Sequence, residues 1–290
     1  MSELDVTLAD GRTLHVYDEG DPNGVAVVVH HGTPSSGRLY PAFADDARAR
    51  GIRLIGYDRP GYAGSSAQPG RKVADAAVDV AELLDQFGID RFATWGHSGG
   101  GPHSLACAAL LPERCVAAAC LAGVGPYGAE GLDWLEGMGD LNTEDFDAVL
   151  AGAEALEPTI RRNQEMFSAG PEGLREGMLS ILSPVDREAF TAEVAEWIYA
   201  VMAEGGAERI EGWRDDNLAF VAPWGFDPAG IRVPVLVLHG VQDLMAPPAH
   251  GRWLAAHIPG AQAEISDAEG HITLLTTRIP AVHEWLLERF

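Results

Sequence analysis

The chain has 290 residues, 47% of them apolar and 22% charged, and its 20 Lys plus Arg against 43 Asp plus Glu leave a net charge of −23. Such a composition suits one large folded domain or two smaller ones and excludes collagen, coiled coil and disordered chains. So acidic a chain repels phosphate backbones and anionic lipid headgroups, which sets aside nucleic acid and membrane surfaces as partners.

In chain order, Met1 to Asp10 carries three acids and neither a basic nor a long apolar stretch. It does not read as a secretory leader, and a cytoplasmic location is expected. The segments Leu4 to Leu8 and Thr13 to Tyr17 alternate and meet at Asp10-Gly11, which predicts a hairpin. Val25 to His30 is a β-branched run of the kind that lies inside a sheet covered on both faces. A helix near Pro41 to Arg50 precedes a strand at Arg53 to Tyr57. From about Val73 a second helix places Val73, Ala76, Ala77, Val80, Leu83, Leu84 and Phe87 on one face, with Gly88 as its stop. Strand Arg91 to Trp95, helix Gly99 to Leu111 and strand Val116 to Ala122 come next. The alternation predicts an α/β fold: a mostly parallel sheet with helices on both faces and an antiparallel hairpin at one edge.

From Tyr127 to Gly225 only helical periodicity remains, as in Phe190, Val194, Trp197, Ile198, Val201 and Met202. This stretch holds 21 of the acids and six arginines. Residues 127–225 are therefore expected to form a helical insertion in a core made of 1–126 and 226–290. The sheet resumes at Val233 to His239, followed by a helix at Pro248 to Ile258, a short strand at Ala263 to Ile265 and a last helix from Ile279. Apolar runs such as Val25 to Val29 fall far short of the roughly 20 residues of a membrane span. Cys107, Cys115 and Cys120 are odd in number and lack C-x-x-C spacing, so they are expected to be buried and reduced.

The chemistry concentrates at Gly96-His97-Ser98-Gly99-Gly100, a G-x-S-x-G motif placed after a strand and before a helix. A nucleophile on so tight a turn needs small neighbours, and the helix behind it aims free N–H groups and its positive dipole end at the same spot. A serine hydroxyl needs a base within hydrogen-bond reach and an acid to orient that base. Asp243 follows the strand Val235 to His239, at the carboxyl edge where ligands bind such sheets. His271 follows the short strand and reaches the same edge. Other histidines near the motif strands, His30, His31, His97, His103 and His239, read as packed or backbone-satisfied. The loop Gly123 to Pro126 after the strand ending at Ala122 offers no carboxylate, and Asp267 and Glu269 lie too near the base to brace it, though either could line the entrance. In His30-His31-Gly32-Thr33-Pro34 the loop offers the Thr33 N–H beside that of Gly99, a pair of donors for a developing oxyanion. With no cluster at metal-ligand spacing and no G-x-G-x-x-G after the opening parallel strand, neither metal nor organic cofactor is expected.

The segments HGTP at 31–34, GYDRPGYAGSS at 56–66, GHSGG at 96–100, PVLVLHGVQD at 234–243 and EGH at 269–271 together resemble the α/β-hydrolase superfamily. The order Ser98, Asp243, His271 is also that family's order of nucleophile, acid and base. The resemblance spans nearly all of the chain outside the insertion. It implies an eight-stranded sheet, an oxyanion hole from the Thr33 and Gly99 N–H groups, and a cap formed by the insertion. Ala63 stands where this family's loop usually has glycine, so a differently shaped turn is expected there. Ser98 occupies the position of the aspartate in dehalogenases and epoxide hydrolases of this fold, which disfavours those chemistries. The HGTPS and GHSGG segments also match neither the loop nor the elbow of the prolyl aminopeptidases.

The expected function is a serine hydrolase acting on ester bonds of a small to medium neutral substrate through an acyl-enzyme at Ser98. Two alternatives use the same residues: an exopeptidase or amidase whose acidic insertion binds a substrate amine, and a slow-turnover ligand receptor. A C–C bond hydrolase or perhydrolase needs the same groups. Specificity is expected in the insertion, where Trp134, Phe146, Phe167, Trp197, Tyr199, Trp213, Phe220 and Trp224 are available, most of them as the insertion's own core. The insertion's acids are expected chiefly on a solvated outer face.

Overall fold

A computed structural model of the chain describes residues 2–206 and 209–290, apart from the side chains of 166–168, among which Phe167 falls. Eight strands, β1 (Ser2–Thr7), β2 (Thr13–Gly20), β3 (Val25–His30), β4 (Ile52–Tyr57), β5 (Phe92–His97), β6 (Cys115–Leu121), β7 (Val235–Gly240) and β8 (Gln262–Ser266), form one sheet. Their order is β1-β2-β4-β3-β5-β6-β7-β8. The hairpin β1–β2 turns at Gly11, whose φ of +87° is open to glycine without strain. It pairs antiparallel to β4, while β3 through β8 run parallel.

Helices α1 (Pro41–Ala49), α2 (Asp75–Gln86) and α3 (Gly100–Leu110) connect the first strands. Six more lie between β6 and β7: α4 (Asp140–Leu150), α5 (Ala153–Ser168), α6 (Gly170–Gly177), α7 (Pro184–Ala189), α8 (Ala192–Gly206) and α9 (Glu211–Val221). The chain ends with α10 (Pro248–His257), α11 (His271–Thr277) and α12 (Ile279–Leu287).

The period of two in β3 sorts its side chains into two layers. Ala26 and Val28 pack with Val80, Leu83, Leu105 and Leu254 of α2, α3 and α10. Val27 and Val29 pack on the other face with Phe43, Leu274, Val282 and Leu286 of α1, α11 and α12. Burying each such leucine or valine contributes about 1.5–3 kcal/mol, and covering both faces explains why the strands read as continuous apolar runs. The three cysteines are free and buried, Cys107 and Cys120 in the first layer and Cys115 beside them.

Two differences from the sequence reading have local causes. Helix α2 begins at Asp75, two residues past the expected start near Val73, because the chain there closes on three-residue turns, Asp75 N–H to the Lys72 carbonyl and Ala77 N–H to the Ala74 carbonyl, both at 3.1 Å. Helix α11, which starts at His271, stands where the sequence pattern predicts none; its first turn is secured by a carboxylate from α7. Among the described residues no helix is long and apolar enough to cross a membrane.

The parallel register fixes where the loops emerge. His30 pairs with Gly96, His97 with Leu121 and Gly240 with Ser266, so the segments after β3, β5, β7 and β8 leave the sheet at one edge.

Candidate active site

Ser98 and Gly99 form the whole link between β5 and α3. Ser98 has φ +55°, a left-handed conformation that costs an L-residue roughly 1–2 kcal/mol. The surrounding glycines permit it. A Cβ at Gly96 would run into the Gly100 carbonyl, one at Gly100 into the His30 carbonyl, and one at Gly99 into the Thr33 side chain. The Ser98 N–H donates to the Leu121 carbonyl at 2.9 Å, which ties the turn to the next strand.

Asp243 lies just past β7, with its carboxylate Oδ2 2.7 Å from His271 Nδ1. Its other oxygen accepts the N–H groups of Met245 and Ala246 at 2.8 and 2.9 Å. Burial alone would raise the Asp243 pKa, but the His271 imidazole and these donors hold it below its ordinary value. His271 shows the mirror image: burial opposes its charge, yet the Asp243 carboxylate, helped by Asp186, keeps its pKa above the ordinary 6.5. With Nδ1 donating to an ionised Asp243, Nε2 is left with a lone pair, and the ring borders the same cavity as Ser98.

His271 is the first residue of α11, and two residues hold it there, His97, read from the sequence as backbone-satisfied, and Asp186, which the sequence does not single out. His97 Nε2 donates to the His271 carbonyl at 3.0 Å. Asp186, fully buried on α7, accepts the backbone N–H groups of His271, Ile272 and Thr273 at 2.9, 2.8 and 3.0 Å. These are the helix's first, otherwise unpartnered donors. The Ser183 hydroxyl donates to the same carboxylate at 2.9 Å, and a side chain at Gly270 would collide with it.

Thr33 sits against Gly99 and borders both of the cavities that meet at Ser98. Its hydroxyl donates to Asp216 Oδ2 at 2.6 Å and accepts from Arg59 Nη2 at 2.9 Å. Asp216, fully buried on α9, also takes hydrogen bonds from Tyr62 at 2.8 Å and Arg59 Nη2 at 2.6 Å, and pairs with Arg71 at 2.5 Å. Burial opposes its charge, but Arg59 and Arg71 push its pKa well below the ordinary carboxylate value. Arg59 in turn clasps the loop through the carbonyls of His31 and Gly32, and its N–H donates to His31 Nε2 at 3.0 Å. Among the described residues the backbone N–H groups of Thr33 and Gly99 have no protein acceptor.

Ala63 adopts φ +33°, the left-handed region that a glycine enters freely, so the turn tolerates alanine at a cost of roughly 1–2 kcal/mol. Its carbonyl accepts from Arg209 at 3.1 Å. Asp267 and Glu269 stay away from the cavities: Glu269 pairs with Arg278 at 2.7 Å, and the Asp267 carbonyl accepts from Gln242 at 3.0 Å.

Two cavities of about 140 Å³ each meet at Ser98. The first, bordered by His271, is walled by Leu39, Phe43, Trp197, Ile198, Val201 and Leu275. The second, bordered by Gly99, has Phe146, Trp213 and Phe220 but also Asn142, Asp145, Asn163 and Asn217. Phe146, Trp197, Trp213 and Phe220 thus border the cavities, whereas Trp134 and Trp224, packed in the same cluster as Phe220, and Tyr199, packed against the helices' own core, do not. Among the described residues Asp145 alone of the insertion's acids borders either cavity.

The buried histidines make a stability prediction. Burial lowers the pKa of His30, His31 and His239, brings His97 and His103 down to about 3, and His250 to about 4. Groups depressed on folding contribute stability above their unfolded value near 6.5, and that contribution drains away as pH falls toward the folded value. His271 and the buried carboxyls of Asp58 and Asp145, both pushed up to about 6, have the opposite sign, but they are outnumbered. The chemical-denaturation midpoint is expected to fall steeply from about pH 6.5 to 5, since each such proton is worth up to about 1.4 kcal/mol per pH unit. An unchanged midpoint across that window would contradict the neutral, buried state of these rings.

A family model described as alpha/beta hydrolase fold matches residues 25–277. Over 274 residues the chain is 28% identical to a protein named non-heme chloroperoxidase from Streptomyces lividans, covering 91% of each chain. It is 28% identical over 252 residues to a bifunctional esterase/perhydrolase from Acinetobacter calcoaceticus, covering 83% of each. The structure of an esterase from Exiguobacterium antarcticum matches with a TM-score of 0.72 over 99% of this chain and 98% of that one, at 20% identity, a likeness of fold.

Proposed function

The chain belongs to the α/β hydrolase fold family, and on that premise we propose that it is a serine hydrolase cleaving ester bonds of a small to medium, non-anionic substrate through an acyl-enzyme at Ser98. The observation that carries the reading is the placement of Ser98 and His271 on one cavity wall, with His271 Nδ1 2.7 Å from the Asp243 carboxylate. In this mechanism His271 Nε2 takes the Ser98 proton, the alkoxide adds to the ester carbonyl, and the N–H groups of Thr33 and Gly99 receive the oxyanion. His271 then protonates the departing alcohol. Water attacks the acyl-enzyme by the same route and restores Ser98. Helices α4–α9 serve as a cap, residues 127–225 over a core of 1–126 and 226–290, and shield these steps from bulk solvent.

The esterase/perhydrolase and chloroperoxidase relatives favour one variation. Hydrogen peroxide in place of water would attack the acyl carbon, return the proton to Ser98 and release a peracid.

The test is the pH dependence of ester hydrolysis. Catalysis needs neutral His271, so kcat/KM is expected to rise with pH and reach half its plateau above 6.5, the side to which Asp243 moves this group. A profile flat from about pH 5 to 9 would contradict His271 as base.

A further inference from the structure

The cavity bordered by His271 is the more apolar of the two, although Ser35, Ser36 and Arg38 also line it, and the chemistry at Ser98 decides which side of an ester enters each. Resting on the esterase reading, the alcohol oxygen must leave toward the group that protonates it, and His271 borders the apolar cavity and not the polar one. The acyl chain then runs the other way, past Gly99, which borders the polar cavity and not the apolar one.

In that second cavity the polar groups are incompletely paired. Asn163 Nδ2 donates to both Asp145 oxygens at 2.9 Å, and Asn142 Nδ2 to the Met245 carbonyl at 2.9 Å. The Asn217 side chain, 7% exposed, has no protein partner among the described residues. The cation nearest Asp145 is the Arg162 guanidinium, at 3.8 Å, 55% exposed and also 3.6 Å from Glu144. Burial pushes the Asp145 carboxyl up to about 6 against the pull of Asn163 and Arg162, so at neutral pH a partly buried carboxylate, ion-paired among the described residues only to a half-exposed arginine, borders the cavity. A hydrocarbon chain entering here would strip water from Asp145 and Asn217 and give nothing back, which is costly for buried polar groups.

We propose that the preferred esters join an apolar alcohol to an acid whose chain carries a hydrogen-bond donor at its far end, a hydroxyl or a protonated amine, received by Asp145 and Asn217. Asp145 accepts the donor, and Asn217 completes the contact with whichever half of its amide the group requires.

The test compares kcat/KM for esters of one alcohol with alkanoic, ω-hydroxyalkanoic and ω-aminoalkanoic acids of graded length. Wild type, Asp145→Asn and Asn217→Leu are assayed, each titrated with a fluorophosphonate to count Ser98 sites. At the best chain length a donor-bearing ester is expected to exceed its alkyl counterpart by about tenfold or more, as a hydrogen bond to a charged group allows. Asp145→Asn should erase an amine preference by about ten- to a hundredfold, and a hydroxyl preference less, which separates the two donors. Asn217→Leu should lower both. An alkyl ester equal or superior in wild type whose Ser98 is fully labelled would overturn the proposal and leave the esterase reading standing. Absence of labelling in wild type would overturn both. The wild-type ratio decides the matter even if a variant fails to fold.

Discussion

Replacing Ser98 by alanine is expected to lower kcat for ester hydrolysis by about 10⁵- to 10⁶-fold, with the fold intact. The magnitude comes from the division of labour at the site. In the proposed mechanism the Ser98 hydroxyl bonds to substrate, and the other hydroxyls of the Thr33 loop are already engaged, Thr33 with Asp216, Ser35 with the Ser36 carbonyl and Ser36 with Glu204. Alanine is smaller than serine and keeps the left-handed turn at φ +55° no worse than serine does. His271→Ala should cost nearly as much, because the hydroxyl then loses its base. Asp243→Asn should cost less, about 10⁴-fold, since it leaves the imidazole in place but no longer favours the tautomer with Nδ1 protonated. Steady-state kinetics with circular dichroism as a folding control checks all three. Wild-type turnover in Ser98→Ala would remove the acyl-enzyme mechanism.

Asp216→Ala is expected to be the most destabilising single change around the site, by about 3–5 kcal/mol. It strands the Arg59 and Arg71 guanidiniums, which are 1% and 3% exposed, without their shared carboxylate. It also removes the acceptor of the Thr33 hydroxyl. Set against the roughly 5–15 kcal/mol that holds a typical domain together, that is a large fraction. The protein that remains folded should show lowered kcat with KM little changed, because the loop presenting the Thr33 N–H has lost its anchor to α9. Since Asp216 has a pKa well below the ordinary 3.8, its contribution is complete above that value and fades only as pH falls beneath it. The difference in denaturation midpoint between wild type and Asp216→Ala should therefore be the same at about pH 6 and pH 8. A loss under about 1 kcal/mol would show that the two arginines find other partners.

The parts of the site that can be read from the chain are those with local requirements. Gly96, Gly99 and Gly100 crowd Ser98 within five residues, and the steric reason for them operates at that range. Asp243 and His271 are legible because each follows an apolar strand whose carboxyl end must reach the same sheet edge. The supporting groups carry no such signal. Asp186 accepts the N–H of His271 from 85 residues earlier in the chain, and Asp216 meets Arg59 across 157 residues. Both sit in the most acidic stretch, where composition favours a solvated reading. Helix α11 is hidden for a related reason. Its sequence His271-Ile-Thr-Leu-Leu-Thr-Thr277 is rich in β-branched residues that weigh against a helix, and the carboxylate that secures its first turn comes from α7.

The most direct measurement is peptide mass spectrometry of the protein after reaction with a fluorophosphonate. A single phosphonyl adduct is expected, on the peptide that contains Ser98, absent from Ser98→Ala and forming more slowly as His271 becomes protonated below its raised pKa. No adduct, or an adduct on another residue with Ser98 unmodified, would contradict the assignment of Ser98 as the nucleophile.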